Sequence, residues 1–336
     1  MALFVAAYQR QLHHLWNDHI FFAAGKTVEE LSAWYTRYRK QRSSFWENDM
    51  TNYDSTITDE WQRFATRVLA RAGGKHAQHF LGFKIAQSFD TRGKGTYGTR
   101  FRVKGTMKSG AADTCLTNSI INALSHWFCL HKLNPALTQQ QLETQVALAI
   151  MGDDMLLIAQ AGIRVEGIDK LMAKLGFMPK LKESAATGGC FLNMLPYPQG
   201  HGWRFAPRPG RILSRLGVSA YPVPDVPAYV GAVGKGFVAQ MGNLPVLGAL
   251  ARMLVRVGHD RQYEKSWLFQ RQHYDTMRGS RSPDVGPEAL HYISALYGVT
   301  AHEVGELEAY FDGVSQLDVL LSHPVLNKLV MAEGAV

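Results

Sequence analysis

The sequence predicts a mixed α/β chain in two parts: helices and short strands around a buried β-hairpin, then an all-helical C-terminal part. Three observations carry this. Two strand-length apolar runs, 147–151 and 155–158, flank Gly152-Asp153-Asp154, which reads as a hairpin with two carboxylates at its tip. Short β-type runs alternate with helical periodicity on both sides of it. Beyond a linker marked by Pro222, Pro224 and Pro227, only helical patterns follow.

The chain has 336 residues, 46% hydrophobic and 19% charged, enough for a real core and more than one subdomain. Its net charge of +8 suits a polyanionic partner, or a merely basic soluble protein. Cys115, Cys129 and Cys190 show no paired or metal-type spacing, which favours a reducing compartment. The N-terminus carries Gln, Arg and His within its apolar pattern, so it is no signal peptide, and no apolar run is long enough to span a membrane.

In order, residues 1–23 are expected to be helical, with Leu3, Phe4, Ala7, Leu12, Leu15 and Trp16 on one face. Thr27 and Glu30 form a capping box for a helix over 28–38. That helix leads into Arg37, Arg39, Lys40 and Arg42, a solvated helix end or a phosphate contact. Phe45-Trp46 begins a short strand presenting Asp49. Asp54 follows across a turn, as a ligand or as the cap region of a helix over 57–72. Strands are expected over 80–85 and 99–105, the second with Arg100, Arg102 and Lys104 on one face against Phe101 and Val103. A loop with Ser109 and Gly110 opens a helix over 114–130, where Thr114 and Asn118 share a face.

A helix over 138–146 enters the central hairpin, and another spans 167–175. Lys180 and Lys182 lie in the loop or strand after it. A second hairpin is expected over 188–195. Arg204, Arg208, Arg211 and Arg215 follow, interleaved with Trp203 and Phe205, as a nucleic-acid contact or a solvated loop. The C-terminal helices are expected at 228–241, 245–257, 287–297, 301–311 and 315–331.

Asp49-x4-Asp54, Ser109-Gly-x3-Thr114-x3-Asn118 and Gly152-Asp153-Asp154, in that order, resemble motifs A, B and C of the RNA-dependent RNA polymerases of positive-strand RNA viruses. The likeness is nearest to the alphavirus-like, nodavirus-like and tombusvirus-like enzymes. It covers about residues 45–215, with the lysines after Gly176 as motif D and 188–195 as motif E.

The resemblance implies a right-hand fold. The palm, an antiparallel sheet backed by helices, would span 45–220 with an inserted fingers part at about 73–108. Residues 1–44 would be residual fingers and 221–336 a helical thumb. It implies RNA-templated nucleotidyl transfer with two Mg²⁺ ions, or Mn²⁺, on Asp49 and Asp153, with Asp154 auxiliary. Asp54 and Asn118, supported by Ser109, Gly110 and Thr114, would check the ribose 2′-hydroxyl. Lys182, with Lys180 as rival, would protonate the leaving pyrophosphate. Arg100, Arg102, Lys104, Arg208 and Arg211 would contact RNA. The partners implied are template, nascent strand and NTPs, in a replication complex in the host cytoplasm.

Only 48 residues precede Asp49, where the family carries a basic fingers segment. We therefore expect a fragment, or fingers supplied by another chain or replicase subunit. Two alternatives follow. One is a catalytically incomplete RNA-binding subunit. The other is a reverse transcriptase, which Asp54 and the Ser109–Asn118 motif argue against.

Overall fold

The computed structural model describes residues 2–73, 82, 84, 90–184, 187–219, 222–259, 282, 284–317 and 320–333. The chain divides into two compact units: Met1–Lys26 with Tyr38–Leu192, and Thr27–Arg37 with Asn193–Val336.

The first unit is built on a five-stranded sheet in the order β1-β5-β6-β2-β7. Its strands are β1 (Ile20–Phe22), β2 (Ser44–Met50), β5 (Val146–Met151), β6 (Asp154–Ala159) and β7 (Pro179–Glu183). The β5–β6 hairpin lies in the middle, and almost all of its side chains are buried. Strands covered on both faces read as continuous apolar runs, which is why 147–158 was legible. All pairings are antiparallel except β1 with β5.

Helices α1 (Ala2–Leu15), α3 (Tyr53–Thr56), α4 (Asp59–Gly73), α5 (Thr114–Leu133), α6 (Gln139–Gln145) and α7 (Ile168–Lys174) complete this unit. Leu116, Ile120, Ile121 and Leu130 of α5 join Leu148, Ile150 and Leu157 of the sheet in one core. A separate antiparallel hairpin pairs β3 (Thr91–Lys94) with β4 (Arg100–Val103).

In the second unit, β8 (Met194–Gln199) and β9 (Gly202–Pro207) pair with each other alone. Helix α2 (Val28–Tyr38) belongs with them through its first ten residues. Tyr35 packs edge-on to Phe205 at 5.1 Å, the Phe205 N–H donates to Ser32 Oγ at 3.0 Å, and Glu29 pairs with Arg204. Helices α8 (Pro209–Ser214), α9 (Val226–Met241), α10 (Leu247–Val257), α11 (Pro287–Tyr297), α12 (Ala301–Gly313) and α13 (Pro324–Ala332) follow.

Several expectations need correction. The N-terminal helix stops at Leu15, because Ile20–Phe22 pairs as a strand with Leu148–Ile150. Within that helix Val5, Tyr8 and Leu12 are buried while Ala7 is exposed; the side chains of Leu3, Phe4 and Leu15 lie outside the described residues. The strand expected over 80–85 falls mostly outside them too, and Gly82 and Lys84 are helical. The second hairpin starts at Met194 rather than 188, because Leu192 and Asn193 take positive φ (52° and 59°) and break the strand. The last helix begins at Pro324, whose ring suits the first helical turn, with His323 as its cap. The compact units part at Leu192, and β8–β9 packs with α2.

Candidate active site

The site is assembled at one end of the central strands. Gly152 and Asp153 make the two-residue loop of the β5–β6 hairpin, and Asp154 opens β6 opposite Met151. Gly152 has φ +65°, a conformation that costs any other L-residue energy. The loop is held from behind by α5. The Gly152 N–H donates to Ser119 Oγ at 2.7 Å. The Asn122 amide donates to the Gly152 and Asp153 carbonyls at 2.9 and 3.1 Å.

Asp49 is exposed, one residue before the end of β2, which pairs with β6. Asp54 lies in α3, not in the cap of α4. Its two oxygens accept from the Asn118 amide, at 2.7 Å, and from the Ser109 hydroxyl. Thr114 Oγ1 donates to the Lys108 carbonyl at 2.8 Å, and Gly110 turns the loop at φ +81°. Asp54, Ser109, Gly110, Thr114, Asn118, Asp153 and Asp154 line an open cavity of about 940 Å³. That is room for a nucleotide-sized ligand.

The cavity is electronegative. Burial pushes the Asp153 carboxyl above the usual carboxylate range, and the charges of Asp49 and Asp54 push it further. Tyr53, buried beneath with its hydroxyl on the Asn118 carbonyl at 3.2 Å, is raised by burial first and then by the charges of Asp153 and Asp54. Among the described residues no three or more His, Cys, Asp or Glu side chains converge as a closed metal cage. Two carboxylates facing a cavity still fit Mg²⁺, which usually takes one or two carboxylates and completes its shell with water and substrate phosphate.

Of the two lysines, the structure brings Lys180 to Asp49, with its ammonium at 3.8 Å. Lys182 lies two residues along β7, opposite Glu47. On the β3–β4 hairpin, Arg102 is engaged in a double hydrogen bond with Asp90 at 2.6 and 2.7 Å, and Phe101 is 51% exposed, with its ring over Gly93. Arg208 and Arg211 belong to the second unit, where Arg208 pairs with Glu333.

Sequence reasoning missed Asn122 and His126 on α5. They continue from Asn118 at every fourth residue, and that spacing was the available signal. It also missed Lys84, fully buried against Asp113 at 2.8 Å and Thr117 at 2.6 Å, which anchors the start of α5. Burial lowers the Lys84 pKa, and Asp113 opposes that shift.

A family model described as RNA dependent RNA polymerase matches residues 2–228. The chain is 25% identical over 261 residues to the RNA-directed RNA polymerase of Nodamura virus (strain Mag115), covering 76% of this chain and 24% of that protein. It thus spans about a quarter of that relative's length. Among solved structures it is similar to an insertion-loop deletion mutant of the RNA-dependent RNA polymerase of a human picobirnavirus. That match has a TM-score of 0.45 and 14% identity, over 93% of this chain and 50% of that one.

Proposed function

The chain belongs to the RNA-dependent RNA polymerase family, and from that premise we propose that it carries the centre for RNA-templated RNA synthesis. The observation that carries this reading is the convergence of Asp54 and Asp153 with Ser109 and Asn118 on one cavity, with the charge of Asp49 near enough to act on Asp153. The reaction is attack of a nascent-strand 3′-hydroxyl on the α-phosphorus of an NTP, with pyrophosphate leaving. Such phosphoryl transfer needs positioning and charge neutralisation more than covalent chemistry.

Asp49 and Asp153 would hold the divalent cations, with Asp154 close by. We assign these as Mg²⁺, which supplies activation of the hydroxyl and neutralisation of the leaving oxygen. Their charge also offsets the repulsion that raises Asp153. Asp54, fixed by Ser109 and Asn118, would sit at the ribose. Asn118 Oδ1 is buried without a hydrogen-bond partner, which supports it as the acceptor for a 2′-hydroxyl. Lys180 would supply the proton to the leaving pyrophosphate ahead of Lys182, because its ammonium lies at Asp49. Among the basic residues of β4 and its edge, Arg100 and Lys104 are the better RNA contacts, since Asp90 engages Arg102. In the second unit Arg211 takes that role ahead of Arg208, which Glu333 engages. The setting would be viral genome replication in the host cytoplasm. Among the described residues no helix is long and apolar enough to cross a membrane.

The test is primed extension on a short homopolymeric RNA template with Mg²⁺. The reading expects incorporation of the complementary NTP alone, abolished by chelation. Incorporation that ignores the template, or survives chelation, contradicts it.

A further inference from the structure

Behind the cavity runs a chain of buried polar groups that the reaction itself does not touch. The Lys180 N–H on β7 donates to Asn48 Oδ1 at 3.0 Å. Asn48 Nδ2 lies 3.0 Å from His126 Nε2. His126 Nδ1 lies 2.9 Å from the Asn122 carbonyl. Asn122 Nδ2 reaches the Gly152 and Asp153 carbonyls. Asn48, Asn122 and His126 are all buried.

Backbone groups force the proton positions from both ends. A peptide N–H can only donate, so Asn48 must turn its oxygen to Lys180 and its amide to His126. His126 Nε2 must then accept. The Asn122 carbonyl can only accept, so the ring proton sits on Nδ1. Only a neutral ring satisfies both contacts, and burial holds the His126 pKa down at about 4. The chain of bonds therefore has one direction and one protonation state.

Its ends are the two elements whose separation matters most. Asn48 precedes Asp49 and its side chain is on the opposite face of β2. Asn122 grips the loop that carries Asp153. The geometry points to Asn48, His126 and Asn122 as positioning residues that set the spacing of the Asp49 and Asp153 carboxylates, and so the affinity of the divalent-cation site. This rests on the metal-holding roles given above to Asp49 and Asp153. Groups that orient ligands from behind typically change metal affinity 10–100-fold when removed.

The experiment is calorimetric titration of Mn²⁺ onto the full chain, for wild type, Asn122→Leu and His126→Phe, with thermal melts alongside. The second variant keeps the ring and loses both nitrogens. We expect wild type to bind Mn²⁺, and each folded variant to bind about tenfold or more weakly. Folded variants that melt lower but bind Mn²⁺ as tightly as wild type overturn the inference, leaving these residues a role in stability alone. Should one variant fail to melt cooperatively, the other decides. Asp49→Ala marks the metal reading: Mn²⁺ binding that Asp49→Ala leaves intact, or no binding by wild type, sinks that reading and this inference with it.

Discussion

Two hairpins in this molecule close on loops of the same size, yet only one carries the carboxylates proposed as the site. Gly152-Asp153 joins β5 to β6, and Gly200-His201 joins β8 to β9. Both begin with a glycine at positive φ, +65° and +53°. Both hairpins bury large side chains, such as Leu157 in one and Tyr197 and Phe205 in the other. They differ in what surrounds them. β5–β6 is flanked by β1 and β2, and three side-chain hydrogen bonds from α5 fix the backbone of its loop. β8–β9 is a two-stranded sheet whose loop receives one such bond, Gly200 N–H to Glu288 at 3.2 Å. On the proposed reading, the difference is that the first turn has its backbone fixed from behind while its carboxylate faces a cavity near the carboxylate of another strand.

The comparison is broken most severely at the tips. Asp153→Ala is expected to lower incorporation by about a thousandfold or more, the scale on which metal-assisted phosphoryl transfer depends on its ligands. His201→Ala at the other tip should leave incorporation intact, as primed extension would show. Equal losses would mean that the loops are not distinguished in the way proposed.

Within the braced hairpin, Leu157→Ala removes a fully buried side chain from the middle of the sheet. About 3 kcal/mol of stability should be lost in denaturant unfolding. A loss within 1 kcal/mol, on the order of a surface change, would place the core elsewhere.

The bracing should also leave a pH signature. His126 is shifted from 6.5 down to about 4 by burial, so on acidification the unfolded chain takes up the proton first. Its contribution is present above pH 6.5 and is lost as pH falls towards 4, on the order of 3 kcal/mol in all. Melts of wild type and His126→Phe across that window should differ in slope, with the variant flatter. Parallel curves would contradict the buried neutral ring.

The smallest effects come from the glycines. Gly152→Ala and Gly200→Ala meet no atom within 4 Å, so each pays only for its backbone conformation, about 1–2 kcal/mol. Similar losses of stability are expected from both, with lost incorporation from Gly152→Ala alone.

Legibility from sequence followed the range of the interactions involved. The β5–β6 hairpin was readable because its strands are uniformly apolar and its turn needs glycine. Helix α2 was readable from its capping box, which forms as expected at 2.8 and 3.2 Å. Asp54, Ser109, Thr114, Asn118 and Asp153, far apart in the chain, line one cavity because α3, α5 and the hairpin tip meet there, while Asp49 on β2 stands outside that lining. Strand β1 was not readable. Ile20–Phe22 continues a helical-looking pattern and becomes a strand only by pairing with β5, far along the chain. The sequence reading put Lys182 ahead of Lys180 because it lacked the β2–β7 register, which sets Lys180 opposite Asp49. The polar back of α5 looked like ordinary helix polarity, since its partners come from other elements.

The most direct test of the central claim is single-nucleotide incorporation of UTP or dUTP on a primed RNA template, by wild type and Asn118→Ala. The account predicts that wild type favours UTP, and that the variant loses about tenfold or more of that preference, chiefly by accepting dUTP. Equal use of both nucleotides by wild type, or an unchanged preference in the variant, would contradict it.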